Sequence, residues 1–199
     1  MKEIVLATRN RHKGEELASL LGDAGIRIRT LAEFPSAPEV EEDGETCEAN
    51  AIKKAAEIAR ATGVTSVADD TGLEVDALQG RPGVYAARYA GEHATYEDNC
   101  RKLLRELTGV SSAKRKARFL TVAAIAFPSG HVHVTQGSLE GLITEQPVGD
   151  RGFGYDPVFF VPEFNKTLAQ LTIEEKNRIS HRAKAFAQMR AWLEERPLA

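Results

Sequence analysis

Two adjacent carboxylates, Asp69 and Asp70, follow the apolar run Val64-Thr-Ser-Val-Ala68 and are followed at once by Thr71 and Gly72. Like charges side by side at the end of a strand cost free energy unless a cation or hydrogen-bond donors compensate them. The pair is therefore a candidate metal or acid/base site. Asp, Thr and Gly also build ordinary solvated turns, so the pair needs partners before it means anything.

Four further clusters carry chemistry. Thr8-Arg-Asn-Arg-His-Lys13 sits where a first strand turns into a helix. Free N–H groups at the helix start, with Thr8, Asn10 and Lys13, are suited to a phosphate, although Asn10 serves equally as a simple helix cap. The glycine-rich loop of the common nucleoside triphosphatases is absent from the chain. Asn50 and Lys54 lie one turn apart on a helix behind the acidic loop Glu39, Glu41, Glu42 and Asp43, where the lysine either meets an anion or is simply exposed. Gly152-Phe-Gly-Tyr-Asp-Pro157 combines a ring for stacking, Phe153, with an acceptor, Asp156, between glycines that permit close backbone approach or an ordinary bend. Ser180-His-Arg182, with Lys176 one turn earlier on the same expected helix, is rich in donors for anions or carbonyl oxygens.

The elements that must position these groups alternate. Strands are expected over 3–7, 26–31, 73–78, 118–127, 131–142 and 158–161, with the 64–68 run ending at the Asp pair. Helices are expected over 12–21, 45–61, 95–107 and 172–195; the last has a Thr172 and Glu175 capping box and Pro197 just beyond its end. Pro128-Ser-Gly130 joins two of the strands as an antiparallel hairpin. Such a mixture implies an α/β fold with a mixed sheet flanked by helices.

Composition agrees. With 199 residues, 42% hydrophobic and 28% charged, the chain suits one α/β domain, whole or as two closely packed lobes. A net charge of −3 argues against nucleic-acid binding, and the basic run Lys114-Arg-Lys-Ala-Arg118 reads as a solvated strand entry. No apolar run is long enough to cross a membrane, and the first residues read as a strand rather than a signal peptide, so no membrane and a cytoplasmic location are expected. Cys47 and Cys100 are not paired in sequence and are expected to be reduced core residues.

Taken jointly and in order, Ala7-Thr-Arg-Asn-Arg-His-Lys13, Ala68-Asp-Asp-Thr-Gly-Leu73, Pro82-Gly-Val-Tyr-Ala-Ala-Arg88, Gly152-Phe-Gly-Tyr-Asp-Pro157 and Ser180-His-Arg182 resemble the inosine/xanthosine triphosphate pyrophosphatase family. The resemblance covers nearly the whole chain. It implies a single nucleotide pyrophosphatase domain over 1–199: a long mixed sheet flanked by helices, in two lobes with the active-site cleft between them. It also implies a homodimer and Mg²⁺-dependent hydrolysis of ITP, dITP and XTP to monophosphate and pyrophosphate, cleansing the nucleotide pool. By position, Asp70 is the proton acceptor, Glu42 and Asp70 hold the metal, and Asp69 is support.

The resemblance assigns Thr8, Arg9, Asn10, Arg11, His12, Lys13, Lys54, Thr71, Phe153, Gly154, Tyr155, Asp156, Lys176, His181 and Arg182 to the substrate. Lys13, Lys54 and Lys176 offset its charge, His181 and Arg182 donate to the 6-carbonyl, Asp156 or nearby backbone accepts from N1–H, and Phe153 stacks. Two departures stand out: Ala49 replaces a frequent glutamate, and Arg9 a frequent glycine. Other outcomes are a pyrophosphatase for other modified nucleotides and, given Ala49, a non-catalytic nucleotide-binding regulator.

Overall fold

The computed structural model describes residues 3–22 and 26–195, so the expectations placed on Met1 and Pro197 lie outside the described residues. β1 (Glu3–Leu6) turns into α1 (Arg11–Leu21), and β2 (Arg27–Thr30) returns parallel to β1, with Ile4 opposite Ile28. α2 (Cys47–Thr62) starts at Thr46, whose hydroxyl accepts from Ala49 N, and stops at Gly63 in the left-handed conformation, φ 68°. There follow β3 (Ser66–Val75), β4 (Pro82–Gly83), α3 (Tyr96–Glu106), β5 (Lys116–Ala126) and β6 (Val132–Ile143). β7 (Phe159–Val161), β8 (Lys166–Thr167), α4 (Ile173–Ile179) and α5 (His181–Glu195) complete the described chain. The strands form one mixed sheet in the order β2-β1-β3-β5-β6-β7-β8, with β4 paired to β3. The sequence-based fold class is thus met, and no described helix is long and apolar enough to cross a membrane.

The chain divides into two compact units. The first comprises residues up to Asp70, Thr121–Gly137 and those from His181 on. Its core sets Ile4 and Leu6 of β1 and Leu17 and Leu21 of α1 with Ile125 of β5 and the α5 stripe Ala185, Phe186, Met189 and Leu193. The second comprises Thr71–Leu120 and Ser138–Ser180, around Leu73, Leu103, Leu107, Phe119, Ile143, Phe159 and Leu168. Both cores are aliphatic with a few aromatics, so each unit buries its own apolar faces.

Within the first unit α5 lies directly on β6. Thr135 Oγ1 donates to Ala185 O at 2.9 Å, and a Cβ on Gly137 would overlap His181 O and Ala185 N. Those atoms are backbone of a packed helix and cannot swing aside. Gly137→Ala is therefore expected to lower stability by about 1–3 kcal/mol through overpacking. A denaturant midpoint equal to that of the parent protein would show that α5 does not need this close approach.

Three sequence expectations change. The strand does not end at Asp69 and Asp70 and no separate strand begins at Leu73: β3 runs unbroken through Gly72 to Val75, and Asp76–Leu78 is a short 3-10 turn. β3 sits between β1 and β5 in the sheet order, and just past the glycine it pairs antiparallel with β4, Leu73 opposite Gly83 and Glu74 opposite Pro82, which carries the extended backbone beyond Gly72. The last helix is two. Ser180 adopts an extended backbone, φ −63° and ψ 152°, closing α4 before α5 begins. The basic run 114–118 is not all solvated, because Arg115 is buried and its guanidinium donates to the carbonyls of Leu107, Val110 and Thr144.

The hairpin forms as expected: Phe127 N donates to His131 O and Gly130 N to Phe127 O, each at 2.9 Å. Both cysteines are free and buried.

Candidate active site

Because Asp69 and Asp70 are consecutive on an extended strand, their side chains leave β3 on opposite faces. Each meets a different environment.

Asp69, 1% exposed, is pinned between cations of the first unit: its Oδ2 lies 3.3 Å from Lys13 Nζ and 3.2 Å from Arg182 Nε. Arg182, 2% exposed, also reaches Glu16 on α1 with Nη1 at 2.5 Å. Burial would raise the Asp69 pKa, but Lys13, Arg182 and Lys54 outweigh it and hold the carboxyl well below the usual range. Asp69 is a fixed anion that anchors Lys13 and Arg182.

Asp70 is the opposite case. Its Oδ2 accepts from Asn50 Nδ2 at 3.1 Å, and Cys47, one turn before Asn50 on α2, hydrogen-bonds the same carboxylate. Burial raises the Asp70 pKa, Glu42 adds to the rise, and Lys54, Lys13 and the Asn50 hydrogen bond only partly oppose it. A buried carboxylate whose pKa is raised is a stronger proton acceptor than an exposed one. Burial first, then the Asp70 charge, push the Cys47 thiol up to about 12, so it remains a neutral donor.

α2 also organises the acidic loop. Asn50 Oδ1 accepts from Gly44 N at 2.8 Å, so one amide ties the loop to Asp70. Lys54 Nζ donates to Glu42 Oε1 at 2.5 Å and to Asp69 O at 2.6 Å. Asn50 and Lys54 are both buried, which removes the exposed-lysine alternative. Burial alone would lower the Lys54 pKa, yet Asp69, Glu42 and Asp70 raise it, keeping the ammonium charged.

The first motif is partly self-satisfied. Asn10 caps α1 by accepting from Lys13 N at 3.2 Å, and Thr8 Oγ1 accepts from Asn10 N at 3.2 Å. Arg9 donates to Ala37 O at 3.1 Å, Arg11 pairs with Glu15 on the surface, and His12 is exposed. Among these, Lys13 is the residue drawn to the Asp pair.

The second unit builds a separate constellation. Gly152 has φ 75°, and a Cβ there would overlap the Asp156 carboxylate, so only glycine lets the loop close around it. Asp156 Oδ2 accepts from Phe153 N at 3.0 Å and from Lys176 Nζ at 2.7 Å. The Lys176 ammonium lies 5.0 Å from the Phe153 ring centroid, and Tyr96 packs against that ring at 5.8 Å with the planes tilted by 40°. The structure thus groups Lys176 with Asp156 and Phe153. Gly154 O accepts from Cys100 Sγ at 3.4 Å, while Tyr155 is buried and donates to Ala86 O at 2.8 Å. Thr71, half-buried, follows Asp70 on β3.

His181 opens α5 and is buried, with Nδ1 2.6 Å from Thr121 Oγ1 on β5. Sequence reasoning left Glu16, Cys47, Tyr96 and Thr121 out of the site. Glu16 and Cys47 each sit three residues from a residue it had singled out, Lys13 and Asn50, and helical spacing could have found them. Thr121 showed only as one polar residue in an apolar strand.

Glu42 and Asp70 are oxygen donors of the kind a hard divalent cation takes, and burial of Asp70 is the cost a cation would offset. Among the described residues no three His, Cys, Asp or Glu side chains converge on one point. Two carboxylates fit an ion that keeps most of its positions for water and phosphate oxygens. Ala49 is exposed, and its N–H caps against Thr46, so its departure from the usual glutamate removes no buried partner.

A sequence profile of the Ham1 family matches residues 4–192. The chain belongs to that family. Among Ham1 relatives, a dITP/XTP pyrophosphatase of Desulforamulus reducens is 53% identical over 184 residues, 92% of each chain. One from Geobacillus kaustophilus is 49% identical over 98% of this chain and 96% of its own. The structure of a Ham1 protein from Coxiella burnetii superposes with a TM-score of 0.89 at 42% identity, covering 98% of this chain and all of that one. The nucleoside-triphosphate pyrophosphatase class expected from the motifs is the class these Ham1 relatives carry by name.

Proposed function

We propose that this Ham1 protein hydrolyses 6-oxopurine nucleoside triphosphates, ITP, dITP and XTP, to the monophosphate and pyrophosphate, with Mg²⁺ at Glu42 and Asp70. The observation that carries the reading is the asymmetry of the Asp pair: Asp69 locked as an anion under Lys13 and Arg182, Asp70 raised and held by Asn50 beside Glu42.

A triphosphate brings about four negative charges, and these must be offset before a water can approach the α-phosphorus. When bound, Mg²⁺ supplies part of that offset and lowers the pKa of water it carries. Lys13 and Lys54 add fixed positive charge, and Asp70 takes the proton from the attacking water. In the second unit Phe153 stacks on the base and Asp156, charge-balanced by Lys176, accepts from N1–H. His181 and Arg182 donate to the 6-carbonyl. Adenine presents an amino group and a bare N1 instead, and each mismatched buried group costs about 1–3 kcal/mol. A homodimer and a cytoplasmic location complete the proposal.

The test is pyrophosphate release from ITP, dITP, XTP and the standard triphosphates, with Mg²⁺ and with chelator. We expect kcat/KM for ITP and XTP to exceed that for ATP by at least about a hundredfold, as two mismatches imply, with activity lost on chelation. A flat panel favours a pyrophosphatase for other modified nucleotides, and no release under either condition favours a nucleotide-binding regulator.

A further inference from the structure

The contact between Thr121 and His181 has a chemical consequence for base selection. His181 is 3% exposed at the start of α5, Thr121 is fully buried on β5, and both belong to the first unit. The separation of Thr121 Oγ1 from His181 Nδ1 is 2.6 Å. At this distance the two groups are hydrogen-bonded, and the Thr121 hydroxyl can donate to a bare Nδ1 or accept from a protonated one.

A neutral imidazole carries one proton, so an accepting Nδ1 places that proton on Nε2.

We propose that Thr121 is a positioning residue for substrate selection: its hydroxyl holds His181 in the Nε2–H tautomer, so that the ring offers a donor at Nε2. This rests on the proposed role of His181 at the purine 6-position. A donor there suits a 6-oxo group, whereas the alternative tautomer would turn Nε2 into an acceptor, which suits the 6-amino group of adenine. Thr121 is thus a specificity determinant that need never touch the substrate. Replacing the hydroxyl by a methyl of nearly the same volume removes the lock while the strand stays filled.

Nitrogen-15 NMR of the histidine rings in the ligand-free protein reads the tautomer directly, with His181 assigned among the five histidines by its loss in His181→Gln. The parent protein is expected to show protonated Nε2 at position 181. Thr121→Val is expected to show a mixture of tautomers and about a tenfold loss of ITP over ATP discrimination in kcat/KM. Thr121→Ser, which keeps the hydroxyl, should restore both. Protonated Nδ1 in the parent, or an unmixed Nε2–H signal in Thr121→Val, overturns the lock. A tautomer change with unaltered discrimination overturns its link to selectivity. If no 6-oxopurine triphosphate is hydrolysed at all, the functional reading falls while the NMR still reports on Thr121.

Discussion

Asp70→Asn is expected to lower kcat for ITP about a thousandfold while moving KM by less than about tenfold, because a positioned general base contributes roughly two to four orders of magnitude to rate. The substitution is nearly isosteric. The new amide oxygen can still accept from Asn50 Nδ2, so the tie between α2 and β3 survives. What is lost is the anion itself, both as proton acceptor and as a ligand for Mg²⁺.

Folding should not suffer. The Asp70 pKa is raised in the folded state, so the folded protein binds this proton more readily than the unfolded chain does. Keeping Asp70 ionised at neutral pH therefore costs stability, and removing the charge relieves the cost. Steady-state kinetics on ITP, a binding isotherm with a non-hydrolysable ITP analogue and a thermal melt separate the effects. A kcat within a few fold of the parent would remove Asp70 from its role as the base.

Arg182→Leu should be among the most destabilising single substitutions in the chain, at about 3–5 kcal/mol, the range for breaking a buried ion pair from one side. It would take a buried cation away from two carboxylates: Asp69, 1% exposed, and Glu16, whose bond to Arg182 is 2.5 Å. For a chain of this length about 2–4 °C accompanies each kcal/mol, so the melting temperature should fall by roughly 6–20 °C. Leucine keeps much of the apolar volume, which makes the loss electrostatic rather than a cavity effect.

The pH profile gives a second readout. The folded Asp69 pKa is depressed, so its contribution is fully present above the unfolded value of about 4 and is lost as pH falls through the lower folded value. In Arg182→Leu the two values draw together, and the acid limb of the stability curve below about pH 4 should become shallower. An unchanged acid limb, or a melting temperature within a degree or two of the parent, would show that Lys13 alone holds Asp69.

Much of this was legible in the order of residues. The helix over α2 followed from alanine spacing, the β5–β6 hairpin from two apolar runs around a Pro-Ser-Gly turn, and the family from five separated motifs. These are local signals, or words recognised whole. Two boundary errors arose where local signals conflict with the sheet: Gly72 reads as a strand end, and helical periodicity runs on through Ser180. In β3, pairing with β4 just beyond it overrides the glycine. Between α4 and α5 an extended serine interrupts a pattern that periodicity alone cannot break.

The amino-acid sequence by itself determined the fold class, the family and the identity of most charged groups, because each is encoded in residue types at short or recognisable spacing. Only the tertiary structure decided which charge answers which. It put Lys13 and Arg182, 169 residues apart in sequence, on one Asp69 oxygen; gave Asp70 to Asn50 and Cys47; seated Lys176 on Asp156; and set Thr121 against His181. The reason is physical. The type of an ionisable group is written in the chain, but its protonation and partner depend on burial and distance, and both come into being when the chain folds.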